Sequence, residues 1–205
     1  MEKFVHLTAK ACPLTQPNLN TDQILPARYL KWPRSRGLGQ VLFQDLRHDA
    51  DGKPRPDFPL NQPAYRDARI IIGGRNFGGG SSREAAVYAV YDAGIRCVIA
   101  PSFGDIFAGN AVKNGLLAAV VAEDAIAELA AAVTAAPEQP VTVDLEAQTI
   151  TCGNRSYPFA IDPVSRNQLL NGWDDVDLTE SYRDRILAFM TEDRGRRPWA
   201  SPASA

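Results

Sequence analysis

The chain has 205 residues, enough for one domain with a substantial core or for two small ones. Apolar residues make up 45%, within the globular range, and 22 Lys and Arg stand against 24 Asp and Glu for a net charge of −2, a balance that gives no support to nucleic-acid binding. Met1-Glu2-Lys3-Phe4-Val5-His6 lacks an apolar signal core, and Glu123, Asp124 and Glu128 interrupt the longest apolar-rich stretch, Gly115 to Ala136, so a cytoplasmic protein without a membrane partner is expected.

Phe4 to Thr8 suits a strand. Asn18-Leu19-Asn20-Thr21-Asp22-Gln23 is a polar turn with a helix cap. Pro33-Arg34-Ser35-Arg36-Gly37 reads as a mobile basic loop whose charges are solvated. Asp49 to Pro63, rich in Pro, Asp and Gly, is a long connection. From residue 69 the pattern becomes regular. Arg69 to Gly73 is a buried strand, Ser82 to Ala93 a helix ended by Gly94, and Ile95 to Ala100 the next strand. Helix Asp105 to Lys113, strand Leu116 to Val121 and helix Glu123 to Ala135 follow. Strand and helix thus alternate three times, which predicts an α/β layer with parallel neighbours.

After Pro137 the period changes to two. Val141 to Leu145, Gln148 to Cys152 and Tyr157-Pro158-Phe159 predict a β-meander. Ser165 to Leu170 is a short helix and Leu178 to Glu192 the last one. Residues 1–193 are read as a single domain and 194–205 as a frayed, flexible tail. Cys12, Cys97 and Cys152 are far apart, form no C-x-x-C pair, and have only His6 and His48 to join them. The chain therefore offers no recognisable zinc or iron–sulfur ligand set, and free thiols in a reducing compartment are expected.

The chemistry concentrates in Gly73-Gly74-Arg75-Asn76-Phe77-Gly78-Gly79-Gly80-Ser81-Ser82-Arg83, between a strand and a helix. Glycines let a ligand approach the main chain, and a helix N-terminus attracts anions. Two hydroxyls and a guanidinium placed there suit a carboxylate or a phosphate, or make a purely structural cap. The loop is not a nucleotide P-loop, because Gly80 stands where lysine is required. It is not a dinucleotide loop either, since Arg83 occupies the final glycine position of G-x-G-x-x-G. No histidine follows His48 to serve a Ser-His-Asp hydrolase.

Several separated pieces carry a family resemblance. Asn76-Phe77-Gly78-Gly79-Gly80-Ser81-Ser82-Arg83-Glu84-Ala85-Ala86 resembles the N-F-G-C-G-S-S-R-E-H-A loop of the small subunits of 3-isopropylmalate dehydratases, in the aconitase superfamily. Asn20-Thr21-Asp22-Gln23-Ile24-Leu25-Pro26 is similar to the D-T-D-x-I-I-P segment of that family, and Pro101-Ser102-Phe103-Gly104-Asp105-Ile106-Phe107 to its P-S-F-x-D-I-F turn. Asn114-Gly115-Leu116-Leu117, Val143 to Glu146 and Asn171-Gly172 fit in the same order.

The resemblance implies a swivelling β/β/α domain of the aconitase C-terminal type. It implies a separate large subunit that carries a [4Fe–4S] cluster, with none bound by this chain. The implied reaction is the dehydration of 2-isopropylmalate and rehydration to 3-isopropylmalate, in leucine biosynthesis. By the same resemblance Ser81 is the base, acting as an alkoxide, and Ser82 and Arg83 hold a carboxylate of a small dicarboxylate substrate. Asp22 lines the site, and Arg28 is a second carboxylate partner or a specificity-loop residue. Two positions depart from the family pattern: Gly79 replaces the usual cysteine and Ala86 the usual histidine. They leave open a related dehydratase for a citraconate-like or dimethylmaleate-like acid. A non-enzymatic carboxylate-binding or regulatory domain is the other alternative.

Overall fold

Two four-stranded sheets divide the strands between them, one parallel and one antiparallel. The computed structural model describes residues 1–81 and 83–200. The parallel sheet holds β2 (Ala11–Leu14), β3 (Ile70–Gly73), β4 (Cys97–Ala100) and β5 (Leu117–Val120), in that spatial order. Ile71 pairs with Cys12 on one side and Val98 on the other. These strands are unbroken apolar runs because both faces of the sheet are covered. Ile70, Ile71, Ile72 and all of β4 are fully buried.

Helices α3 (Glu84–Asp92), α4 (Asp105–Lys113) and α5 (Glu123–Ala135) carry the chain between and beyond the parallel strands. α5 buries Ile126, Leu129, Ala130 and Val133, a stripe of helical spacing. That helix packs on β2, β3 and β4 and also touches β7 (Thr149–Cys152) of the second sheet. The antiparallel sheet has the order β1 (His6–Ala9), β6 (Val141–Asp144), β7, β8 (Arg155–Pro158). Val141, Val143, Ile150 and Cys152 face inward and alternate with half-exposed threonines and Asp144, as a sheet covered on one face requires. Only Lys10 separates β1 from β2, so the two sheets are joined at that point. The expected mixed α/β architecture is present, with the alternating elements of residues 69–136 where the pattern put them.

Some elements differ from expectation. The first strand is His6–Ala9, and β2 follows it at once although Pro13 lies within it. A proline cannot donate to a ladder, but β2 is at the sheet edge and tolerates it. α3 starts at Glu84, not at residue 82, so Arg83 precedes the helix with extended backbone (φ −132°, ψ 95°). The short α1 (Thr21–Ile24) has the expected cap: Asn20 and Gln23 form a reciprocal capping box. Pro33 to Gly37, expected to be a mobile basic loop, contains a 3-10 turn, Arg34–Arg36, whose exposed arginines have partners. Arg34 pairs with Asp92 of α3 at 2.9 Å and lies 4.3 Å over the Tyr88 ring, while Arg36 lies 3.7 Å over Trp32. Among the later elements, α2 (Gln44–Arg47) is one turn long and α6 spans Pro163–Asn171. The expected last helix is two helices, α7 (Asp175–Glu180) and α8 (Arg183–Arg196). α8 runs past residue 194, and a 3-10 turn, Pro198–Ala200, follows it. No helix of the described residues is long and apolar enough to cross a membrane.

Candidate functional site

The glycine-rich loop leaves the C-terminal end of β3 and is anchored from below and from two sides. Phe77 anchors it from below. Its ring is fully buried, 5.5 Å from Phe107 and 6.3 Å from Phe103 in edge-to-face contacts. Gly78 has φ +72°, and a Cβ there would come within 2.3 Å of the Phe107 ring, so both backbone shape and space demand glycine.

One flank is the turn after β4. The Phe77 N–H donates to the Ser102 carbonyl at 3.0 Å, the Gly104 N–H donates to the Phe77 carbonyl at 2.9 Å, and the Asn76 N–H donates to Ser102 Oγ at 2.9 Å. The other flank is the segment that leads into α1. The Gly78 N–H donates to the Leu19 carbonyl at 2.7 Å, and the Thr21 N–H donates to the Gly79 carbonyl at 3.0 Å. Thr21 Oγ1 donates to the Ser81 carbonyl at 3.1 Å. Asn76 Nδ2 reaches Asn18 Oδ1 at 3.0 Å, which adds a side-chain clasp to the same flank. The loop is thus held as a third strand-like piece between residues 18–21 and 102–104.

Ser81 is exposed at the crest of this loop. Arg83 follows, four-fifths buried as a side chain, and its Nη1 donates to Asp22 Oδ1 in an ion pair. Asp22 is the more exposed partner, so Arg83 is held from the solvent side. The first turn of α3 begins at Glu84, and its free N–H groups bring a positive dipole end close to Ser81. The Glu84 carboxylate accepts from Asn114 Nδ2 at 3.1 Å. It also helps to raise the Tyr88 hydroxyl pKa, after burial, which is the larger cause.

The structure therefore joins Ser81, Arg83 and Asp22 in one place. Arg28 is engaged elsewhere: it forms a two-pronged pair with Asp45, one arm at 2.9 Å, and lies 4.6 Å over the Tyr29 ring. That pairing, a hydrogen-bonded cation beside the acid, holds the Asp45 carboxyl below its ordinary range. Ser82 lies outside the described residues. Thr21, Asn76, Asn18 and Ser102 were not singled out from the sequence. Their partners lie 26 to 60 residues away; Thr21, Asn76 and Ser102 belong to the resembling segments, and Asn18 only to the polar turn before one of them.

Gly79 has a different reason to be small. A Cβ there would fall 2.7 to 2.9 Å from the Asn76 amide, so a larger residue must push that flexible tip aside. Ala86 is fully buried within α3, behind the loop. The three cysteines are buried, and burial pushes the Cys12 thiol up to about 12 and raises the Cys97 and Cys152 thiols as well. Among the described residues no group of three or more His, Cys, Asp or Glu is placed to hold a metal ion.

Residues 1–124 match the family model of the aconitase C-terminal domain, and residues 127–163 match a LeuD model (LeuD_N). The 3-isopropylmalate dehydratase small subunit of Rhodospirillum centenum is 52% identical over 201 residues, which covers 98% of this chain and 99% of that protein. The chain belongs to the 3-isopropylmalate dehydratase small-subunit family. Another member of this small-subunit family, from Rhizobium meliloti, is 46% identical over 98% of this chain and its own full length. The crystal structure of a 3-isopropylmalate dehydratase (leuD) from Methanocaldococcus jannaschii matches with a TM-score of 0.64 and 26% identity, over 90% of this chain and 99% of that one. These small-subunit matches do not favour the citraconate-type, dimethylmaleate-type or non-enzymatic alternatives.

Proposed function

We propose that this chain is the small subunit of a two-subunit hydro-lyase that converts 2-isopropylmalate to 3-isopropylmalate by dehydration and rehydration, as a step of leucine biosynthesis. Family membership over nearly the whole chain supports the reaction class. The observation that carries the assignment to residues is the exposed Ser81 beside Arg83 at the start of α3. Residues 1–193 act as one swivelling domain that closes over the large subunit in the cytoplasm.

Removing a proton from the carbon beside a carboxylate needs a strong base at that carbon and cations for the substrate charge. A serine hydroxyl is far too weak an acid to supply an alkoxide unaided. The dipole of α3 and the Arg83 guanidinium stabilise the anion at Ser81. Asn114 draws the Glu84 carboxylate to itself, which limits the repulsion it exerts on that anion. Arg83 presents five donors in a planar fork, and Asp22 engages Nη1. The fork therefore has a second edge for a substrate carboxylate, and Asp22 fixes its plane. The family resemblance assigns Ser82 to the same carboxylate. Arg28, paired with Asp45, serves as a second carboxylate partner or a specificity-loop residue only if that pair opens.

The match to the aconitase C-terminal family supports a [4Fe–4S] cluster carried by the large subunit. When bound there it would supply a Lewis acid for the departing hydroxyl. The purified chain alone is expected to be colourless and inactive, and to gain activity with the large subunit. Ser81→Ala in the assembled enzyme is expected to lower kcat by about 10²–10⁴-fold with KM little changed, because a base acts in the transition state. Near-normal turnover by Ser81→Ala overturns the assignment of the base. Tightly bound iron and sulfide in this chain alone overturns the two-subunit division.

A further inference from the structure

We infer that Thr21 is the positioning residue for Ser81, an inference that rests on the reading of Ser81 as the base. Ser81 follows three consecutive glycines, and Gly80 has φ +100°. Glycine loses more conformational freedom on ordering than any other residue, so this run cannot fix the next side chain by itself. Of the anchors below it, Phe77 lies before the run and Gly78 is its first member. A residue that must hold its oxygen at a reacting carbon needs a tether beyond the run, and Thr21 supplies it.

Thr21 is only 2% exposed, although Asn20 and Asp22 on either side of it are exposed. Its Oγ1 donates to the Ser81 carbonyl at 3.1 Å and its N–H donates to the Gly79 carbonyl at 3.0 Å. One residue therefore holds the loop on both sides of Gly80. Thr21 is itself rigidly based. It is the first residue of α1, the Asn20–Gln23 capping box closes the turn, and its own carbonyl accepts from the Leu25 N–H at 2.9 Å. The next residue, Asp22, holds Arg83. Adjacent residues of one capped turn thus set the positions of Ser81 and Arg83 relative to each other. Displacing a reacting group by about 1 Å can cost on the order of 100-fold in rate. A single buried hydroxyl at this point therefore controls turnover without touching substrate.

The test uses the assembled two-subunit enzyme with Thr21→Val, which keeps the shape and removes the donor, and Thr21→Ser, which keeps the donor. Thr21→Val is expected to lower kcat about 10- to 100-fold with KM within about 2-fold, and to move the rising limb of the pH–rate profile to higher pH. Thr21→Ser is expected to recover kcat to within about 3-fold of the parent, since the donated bond is restored. Thr21→Ala serves as a second donor-free variant if Thr21→Val fails to assemble, with the same loss and the same shift expected. Normal kcat in a donor-free variant, or equal losses in the Ser and Val variants, overturns the inference. Ser81→Ala separates the two levels. If it is inactive while Thr21→Val is normal, only the positioning role fails. If Ser81→Ala turns over normally, the base assignment fails and the role of Thr21 falls with it.

Discussion

Gly78→Ala tests how the loop is seated. The substitution adds one methyl group at a residue with φ +72°, which costs roughly 1–2 kcal/mol for an L-residue in the left-handed region. The same methyl would lie 2.3, 2.6 and 2.7 Å from Cγ, Cδ2 and Cβ of Phe107. Phe107 is 2% exposed and packed against Phe77 and Phe103, so it has little room to withdraw. Overpacking a well-filled core costs about 1–3 kcal/mol more. The total is about 2–5 kcal/mol, and each kcal/mol lowers Tm by about 2–4 °C in a chain of this size. Thermal unfolding of the isolated subunit, followed by circular dichroism, is therefore expected to show a drop of roughly 4–20 °C. Gly78→Ala combined with Phe107→Leu should recover the packing share and leave the backbone share, a coupling that a double-mutant cycle reads directly. A Tm within about 2 °C of the parent refutes the account of this seat.

Two further outcomes follow from the loop and the core. Gly79→Cys should fold and cost only about 0.5–1.5 kcal/mol, the worth of the Asn76–Asn18 hydrogen bond it displaces, and should leave the preference for isopropylmalate over citramalate and 2,3-dimethylmalate unchanged in competition assays. A reversed preference would make Gly79 a determinant of substrate choice. The native chain should leave its thiols unlabelled by a thiol reagent at pH 8, because burial holds Cys12 up to about 12 and raises the other two, while the guanidinium-unfolded chain should label all three. Stoichiometric labelling of the native chain within minutes would contradict that burial.

The fold was legible where local pattern and tertiary demand agree. The runs at Ile70–Ile72 and Cys97–Ala100 read as buried strands because both faces of their sheet are covered. β2 was not legible, because Pro13 argues against a strand and only an edge position excuses it. The pairing of Arg34 was not legible either. Its partners Asp92 and Tyr88 lie in a helix that the local sequence cannot place beside it. At the site, Ser81, Arg83 and Asp22 were marked by the resemblance, but the ion pair that joins the last two was not. Thr21 carried no local signal, since a threonine at the start of a helix is ordinary and its partner is 60 residues away.

The junction at Lys10 has a consequence for the order in which the chain can fold during synthesis. β2 finds its partner in β3, and the parallel sheet has all its strands once Val120 is available. β1, one residue earlier in the chain, pairs only with β6, where His6 meets Asp144. The segment before it is tied still later: the Phe4 N–H donates to the Leu169 carbonyl at 2.9 Å, and the terminal ammonium to the Gly172 carbonyl at 2.8 Å. Elongation runs at about 5–20 residues per second, so the first nine residues wait on the order of ten seconds for partners while their neighbours are already in a sheet. Residues 1–9 leave the ribosome well before their partners and are among the last of this chain to be placed.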